Sequence, residues 1–183
     1  MIAIPEPIVI QNEVPVKGFK LLSDGKLMLL GLENGDVKVA DRVRFCVFTV
    51  VRLAEASVLR IEQVLEAILI QYKDIEGSIF LCKPPSQGNR YTLEIVAQIK
   101  TMSASFTTFA ADTVVSDEGN NHILLVTACP DNPHKPKMHV LSVACDTVIQ
   151  TLHLDALPSA LALASTVSKF SGKAKKGTKG KKN

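Results

Sequence analysis

The 183-residue sequence predicts an all-β protein assembled from repeating antiparallel units of four strands. Three observations carry that expectation. The stretch LENGDVKVAD (Leu32 to Asp41) returns as DIEGSIFLCK (Asp74 to Lys83), with Gly35 falling on Gly77, Val37 on Ile79 and Val39 on Leu81. The offset is 42 residues, inside the period of about 40 to 45 residues at which four-stranded units recur in repeat proteins. A looser third copy follows in HILLVTA (His122 to Ala128), MHVLSVACD (Met138 to Asp146) and TVIQTLHL (Thr147 to Leu154).

Taken in order, VPVKGFKLLSDG leads into the first hairpin, where KLMLLGL is continuously apolar, as an inner strand covered on both faces is. Asn34-Gly35 is a strong turn signal, because the tightest hairpin turn needs positive φ at both central residues. Val37 and Val39 then alternate with Asp36 and Lys38, the period of a half-covered strand. RVRFCVFTVVRL (Arg42 to Leu53) is unusually apolar for an outer strand. PPSQGN (Pro84 to Asn89) reads as a turn and RYTLEIVAQI (Arg90 to Ile99) as the outer strand behind the second hairpin. CPDNPHKPK holds three prolines, which cannot donate ladder hydrogen bonds, so it reads as an exposed loop. LPSALALAS (Leu157 to Ser165) looks like the opening strand of a further unit.

One segment stays open between two folds. Leu53 to Asp74 places Val58, Ile61, Leu65, Ile68, Leu69 and Tyr72 at helical spacing, with Glu55, Glu62, Glu66 and Lys73 outward. Read so, the chain is an α+β meander with one helix at 53–74. Read as SVLRIEQV and AILIQY joined near Glu66, it is two more strands.

SDGKLMLLGLENGDVKVAD and ACDTVIQTLHLDALPSALALAS resemble the WD-repeat β-propeller family, the second in its order of strand, acid, strand and next blade. Val39-Ala40-Asp41 and Ala144-Cys145-Asp146 keep the acid of the family's ending, although the chain has no Trp and no Gly-His pair at the matching place. The resemblance spans roughly Ile8 to Ser165. It implies about three blades of a partial propeller over residues 1–168, fewer than the four to eight that typically close a ring. A chain that completes the propeller is therefore an expected partner, within a larger intracellular assembly.

Charge divides the chain. Seven lysines and no acid fall in 169–183, leaving 14 basic against 18 acidic residues in the body. Lysines spaced by Gly, Ala and Thr bury too little to fold, so 169–183 is expected to be a disordered tail. Lys173, Lys175, Lys176, Lys179, Lys181 and Lys182 are its candidate contacts with RNA, DNA or another acidic surface. This is the alternative function: an RNA- or ribosome-associated factor. The first reading is a non-catalytic protein-protein interaction scaffold. In it the loop edges and the Pro-rich loop meet partners through Asp131, Asn132, His134, Lys135 and Lys137.

No enzyme, cofactor or metal is expected. Cys129, His134 and His139 with nearby His122 lack a second cysteine and sit around a proline-rich loop, a poor template for a tetrahedral site. His153 and Asp155 accompany no Gly-x-Ser-x-Gly elbow, and no phosphate-cradling glycine loop occurs. Ser23 to Gly25 and Ser116 to Asn121 read as acidic turns. Cys46, Cys82, Cys129 and Cys145 lie in or at the end of apolar runs and read as buried free thiols. The N-terminal residues carry Pro5 and Pro7 and no basic start, and the longest apolar stretch is half a membrane span. A cytoplasmic or nuclear location is expected.

Overall fold

The structure, a computed structural model, describes residues 13–101, 109–115, 121–129, 137–142 and 147–153. Among the described residues, twelve strands form three antiparallel sheets of four, each sheet in chain order. The first holds β1 (Val16–Leu21), β2 (Leu27–Leu32), β3 (Asp36–Asp41) and β4 (Val47–Arg52). The second holds β5 (Val58–Val64), β6 (Ala67–Tyr72), β7 (Ser78–Lys83) and β8 (Glu94–Lys100). The third holds β9 (Ala110–Val115), β10 (Asn121–Cys129), β11 (Lys137–Ser142) and β12 (Thr147–His153).

Leading strands touch from sheet to sheet: β1 and β2 meet β5, and β5 meets β9. The sheets thus fan outward from β1, β5 and β9 without closing. This corrects the reading of KLMLLGL as the inner strand. The innermost place belongs to β1, while β2 is second and buried along its whole length. The same shift moves HILLVTA to second place behind β9, a strand the sequence reading passed over.

The helix alternative at 53–74 is overturned, because β5 and β6 pair from Val58↔Tyr72 to Val64↔Ala67. Periodicity alone could not exclude the helix. What excludes it is the first sheet: Val58 and Ile61 pack against Gly18 and Gly31, where a Cβ on Gly31 would lie 2.4 Å from Val58 Cγ1. A β-bulge between Val58 and Arg60 offsets the strand alternation and turns both side chains onto the face that fills that gap. Leu65, counted among the helix's apolar positions, is the exposed turn residue at φ 53°. Glu62, expected outward, lies partly buried beside Lys20 at the fan's inner edge.

Repetition at 42 residues is structural. Gly35 N–H donates to the Leu32 carbonyl at 3.1 Å and Gly77 N–H to the Asp74 carbonyl at 3.2 Å, with φ of 91° and 60°. Gly25 does the same with Leu22 at 2.9 Å and φ 66°. Asn34 keeps negative φ, so the turn is a three-residue connection with one left-handed glycine rather than the two-residue turn expected from Asn-Gly. The Pro84–Asn89 connection contains a 3-10 turn, Gln87–Asn89. Arg90 and Tyr91 follow at φ 54° and 59°, which delays β8 to Glu94 rather than the expected Arg90.

Two cores hold the fan. Leu27, Leu29, Val37 and Val39 of the first sheet meet Val58, Ile68, Ile70, Tyr72 and Phe80 of the second. Val64, Leu69 and Ile79 on the second sheet's other face meet Phe109 and Leu125 of the third. Cys82 is buried as expected, whereas Cys46 is exposed because it sits in the turn before β4. Cys145, Asp146 and Leu157 to Ser165 lie outside the described residues.

Gly31→Ala is expected to lower unfolding stability in urea by about 1–3 kcal/mol, the range for overpacking a filled core, and Val58→Ala in the same chain is expected to recover part of it. Leu65→Gly should raise stability by about 1 kcal/mol, since an exposed leucine there bears left-handed strain that glycine lacks.

Candidate interaction surface

At one end of the fan the β1–β2, β5–β6 and β7–β8 turns converge on the seam between the first two sheets. They enclose a groove of about 700 Å³ whose walls include Leu22, Asp24, Leu65, Glu66, Pro84 and Pro85. It continues inward to Lys20 along Ser23 and Gln63, and outward past Asp24, Pro85 and Ser86 to Phe48 and Tyr91. Each wall has a local cause. Asp24 Oδ1 accepts from the Lys26 and Leu27 N–H groups at 2.9 and 3.1 Å, shaping the acidic turn anticipated at Ser23 to Gly25. Gln63 ties the turns together across the seam: its Oε1 accepts from the Ser23 N–H at 2.7 Å, and its Nε2 donates to Ser23 Oγ at 2.8 Å. Ser86 N–H donates to Asn89 Oδ1 at 2.8 Å, fixing the turn behind the two prolines.

Phe48 of β4 stacks on Tyr91, with ring centroids 4.2 Å apart and 13° between planes. Thr49 Oγ1 donates to the Arg90 carbonyl beside it at 3.3 Å. The apolar outer strand that looked anomalous in sequence thus has a partner on the next sheet. Asp41, the acid that ends β3, accepts from the Val43 and Arg44 N–H groups at 2.7 Å each. The Arg44 and Val43 amides hold its carboxyl below the usual carboxylate range.

A charged chain follows the inner edge. Lys20 of β1 pairs with Glu62 of β5, and Arg60 Nη2 reaches the same carboxylate at 3.3 Å. Arg60 Nη1 donates to the Phe109 carbonyl at 2.9 Å, and the guanidinium lies 5.3 Å from the Phe109 ring centre. Burial raises the Glu62 carboxyl, but Lys20 and then Arg60 outweigh it and hold it below its ordinary value. A line of ion pairs therefore joins the first two sheets, and Arg60 carries it on to Phe109, just before β9, by a hydrogen bond and a cation–π contact.

At the opposite end the Tyr72 hydroxyl donates to the Gly35 carbonyl at 3.0 Å and accepts from the Leu53 N–H at 3.4 Å. Arg52 Nε meets Asp36 Oδ1 at 2.8 Å nearby, and that bond holds the Asp36 carboxyl low. Burial pushes both the Tyr72 phenol and the Cys82 thiol up to about 12.

Lys137 opens β11 opposite Cys129 at the end of β10, so it belongs to a strand rather than to the loop. Asp131, Asn132, His134 and Lys135 lie outside the described residues, as do Lys173, Lys175, Lys176, Lys179, Lys181 and Lys182. Sequence reading missed the groove because its walls come from three turns far apart in the chain. Pro84-Pro85 and the acidic Ser23 to Gly25 turn were its visible pieces.

Three consecutive four-stranded antiparallel sheets, joined along their leading strands, are blades of a β-propeller. Among solved structures the chain is similar to the β-propeller domain of Cps50 (Swd1) from Myceliophteria thermophila, with TM-score 0.54 and 11% identity over 76% of this chain and 41% of that one. It is also similar to BamB from Moraxella catarrhalis, with TM-score 0.50 and 16% identity over 78% of this chain and 38% of that one. The chain spans about two fifths of the length of these structures. No protein-family model matches the sequence, and no curated protein does.

Both buried acids have folded-state pKa values above their ordinary 10.0 and 9.0, so the fold retains protons that the unfolded chain gives up. Their contribution is fully present below about pH 9 and is lost as pH rises toward 12. Unfolding free energies from urea titrations between pH 7 and 11 are expected to hold level and then fall, by up to about 1.4 kcal/mol per pH unit per group. Cys82→Ala should remove the part of the fall that begins near pH 9.

Proposed function

We propose that the chain is a WD-repeat-like propeller segment that serves as a non-catalytic protein-protein interaction scaffold in a larger cytoplasmic or nuclear assembly. The observation that carries this reading is the second face of the first sheet. Its face toward the second sheet is the row Gly18, Gly31, Val37 and Val51. Two parallel rows form the other face: Phe19, Leu30, Lys38 and Val50, and Leu21, Met28, Ala40 and Val47. Seven of these eight residues are apolar. A sheet with one solvated face alternates apolar with polar residues, whereas a sheet apolar on both faces is a middle layer. Met28, Leu30 and Ala40 are buried, while Phe19 and Val50 stay 59% and 52% exposed, with Leu21 and Val47 also exposed. An apolar blade face of this kind suits another blade, and a further chain that completes the propeller is the partner this reading names.

The WD-repeat assignment is supported by the left-handed glycines 42 residues apart and by the turn-forming acid Asp41. The non-catalytic reading is supported by the local work of Asp24 and Asp41, whose carboxylates shape turns. Residues 1–168 are the proposed propeller segment and 169–183 its basic tail. Contact with nucleic acid through that tail is the alternative, supported by its lysine content alone.

Light scattering behind size-exclusion chromatography tests the reading. The chain is expected to associate with rising concentration, and Phe19→Asp with Val50→Asp to abolish association while leaving the far-ultraviolet spectrum unchanged. A monomer at every concentration, indifferent to both substitutions, counts against the open-face reading.

A further inference from the structure

The groove across the first two sheets joins three features that favour one kind of occupant. Its central stretch carries Asp24 and Glu66, and its outer stretch Asp41. Asp24 and Glu66 form no salt bridge among the described residues, Asp41 feels the charge of Arg44, and Lys26 also lines the outer stretch, whereas Glu94 on the wall is matched by Lys83 at 2.8 Å. The outer end is the Phe48–Tyr91 stack, and an aromatic face attracts an ammonium group. Pro84 and Pro85 supply a stiff wall without N–H donors, against which an extended backbone lies without competing for ladder bonds. Carboxylates and aromatic faces both favour amines and disfavour phosphates.

The chain contains a segment of the complementary chemistry. Lys173 to Lys182 holds six lysines and no acid, and its spacers are Gly, Ala and Thr, small enough to let the backbone lie low in a groove. Nineteen residues separate it from His153, the last described residue. Fully extended, that length reaches about 65 Å, well beyond the ~30 Å across a small domain.

We propose that Lys173 to Lys182 docks in this groove, with its ammonium groups at Asp24 and Glu66 and at the Phe48–Tyr91 pair. Each contact is a weak, screened surface pair. Several act together, and tethering keeps the segment at high effective concentration. Docked, the lysines are withheld from anionic partners, so the tail and the groove compete with whatever either one binds. The inference does not depend on the open-face reading, since it concerns the ends of the sheets and not their faces.

Zero-length carbodiimide coupling of the full chain, mapped by mass spectrometry, tests it. At low salt the tail lysines are expected to couple to Glu66 and Asp24 several-fold more than to Glu33 and Glu55, which stand at the opposite end. The preference is expected to vanish in about 0.5 M salt, where screening is short-ranged. Glu66→Lys should cut coupling at Asp24 several-fold, while Glu55→Lys should leave it unchanged. Coupling of Lys83 to Glu94 reports that the groove is folded in every variant. Equal coupling at both ends, absence of tail coupling while Lys83–Glu94 coupling persists, or a preference that survives Glu66→Lys overturns the proposal.

Discussion

The first two sheets are held together by a close approach that only glycine permits. Gly31 faces Val58 so nearly that a Cβ would stand 2.4 Å from Val58 Cγ1, and a Cβ on Gly18 would stand 3.3 Å from Ile61 Cγ1. The leading strands therefore almost touch, and the sheets splay from that line. The wider space farther out is filled by Leu29, Val39, Ile68, Ile70 and Tyr72. At one end of the seam Tyr72 reaches the Gly35 carbonyl, where a Cβ on Gly35 would lie 2.7 Å from the Ala54 and Ala56 carbonyl oxygens. At the other end the turns diverge enough to leave the groove.

Polar groups at the seam reinforce this geometry because each is answered. Unpaired buried polar atoms cost more than most hydrogen bonds contribute, about 1–3 kcal/mol against about 1. The Tyr72 hydroxyl both donates and accepts, and the partly buried Glu62 carboxylate meets two cations. Because Lys20, Glu62 and Arg60 lie on successive leading strands or reach the start of the next, the inner edge is a line of paired charge. The apolar faces behind it do the packing. Phe48 on Tyr91 repeats the division at the outer edge, where an aromatic pair joins the first sheet to a loop of the second.

How much of this was legible depended on the range of the interactions. The repeat was legible because a left-handed glycine in a turn is a local requirement, met at Gly35 and Gly77 by the same backbone bond. Strands β2, β3, β6 and β7 showed as apolar or alternating runs, being the middle strands buried between blades. The innermost β1 and β9 were faint, since their apolar residues form neither a continuous run nor a strict alternation; Ala110–Val115 reads AADTVV. The groove was illegible except as Pro84-Pro85 and an acidic turn, because no single stretch contains it.

Alone, then, the sequence determined the 42-residue repeat of antiparallel strands and the place of the glycine turns, which follow from backbone chemistry within a few residues. The tertiary structure decided that 53–74 is a hairpin. Val58, Ile61, Ile68 and Tyr72 fit helical spacing, and as strands they share one face only through the bulge between Val58 and Arg60 that seats them against Gly18 and Gly31. It also decided which strand is innermost, and that the first sheet is apolar on both faces. Those properties belong to pairs of sheets, and a one-dimensional pattern does not record which face meets which.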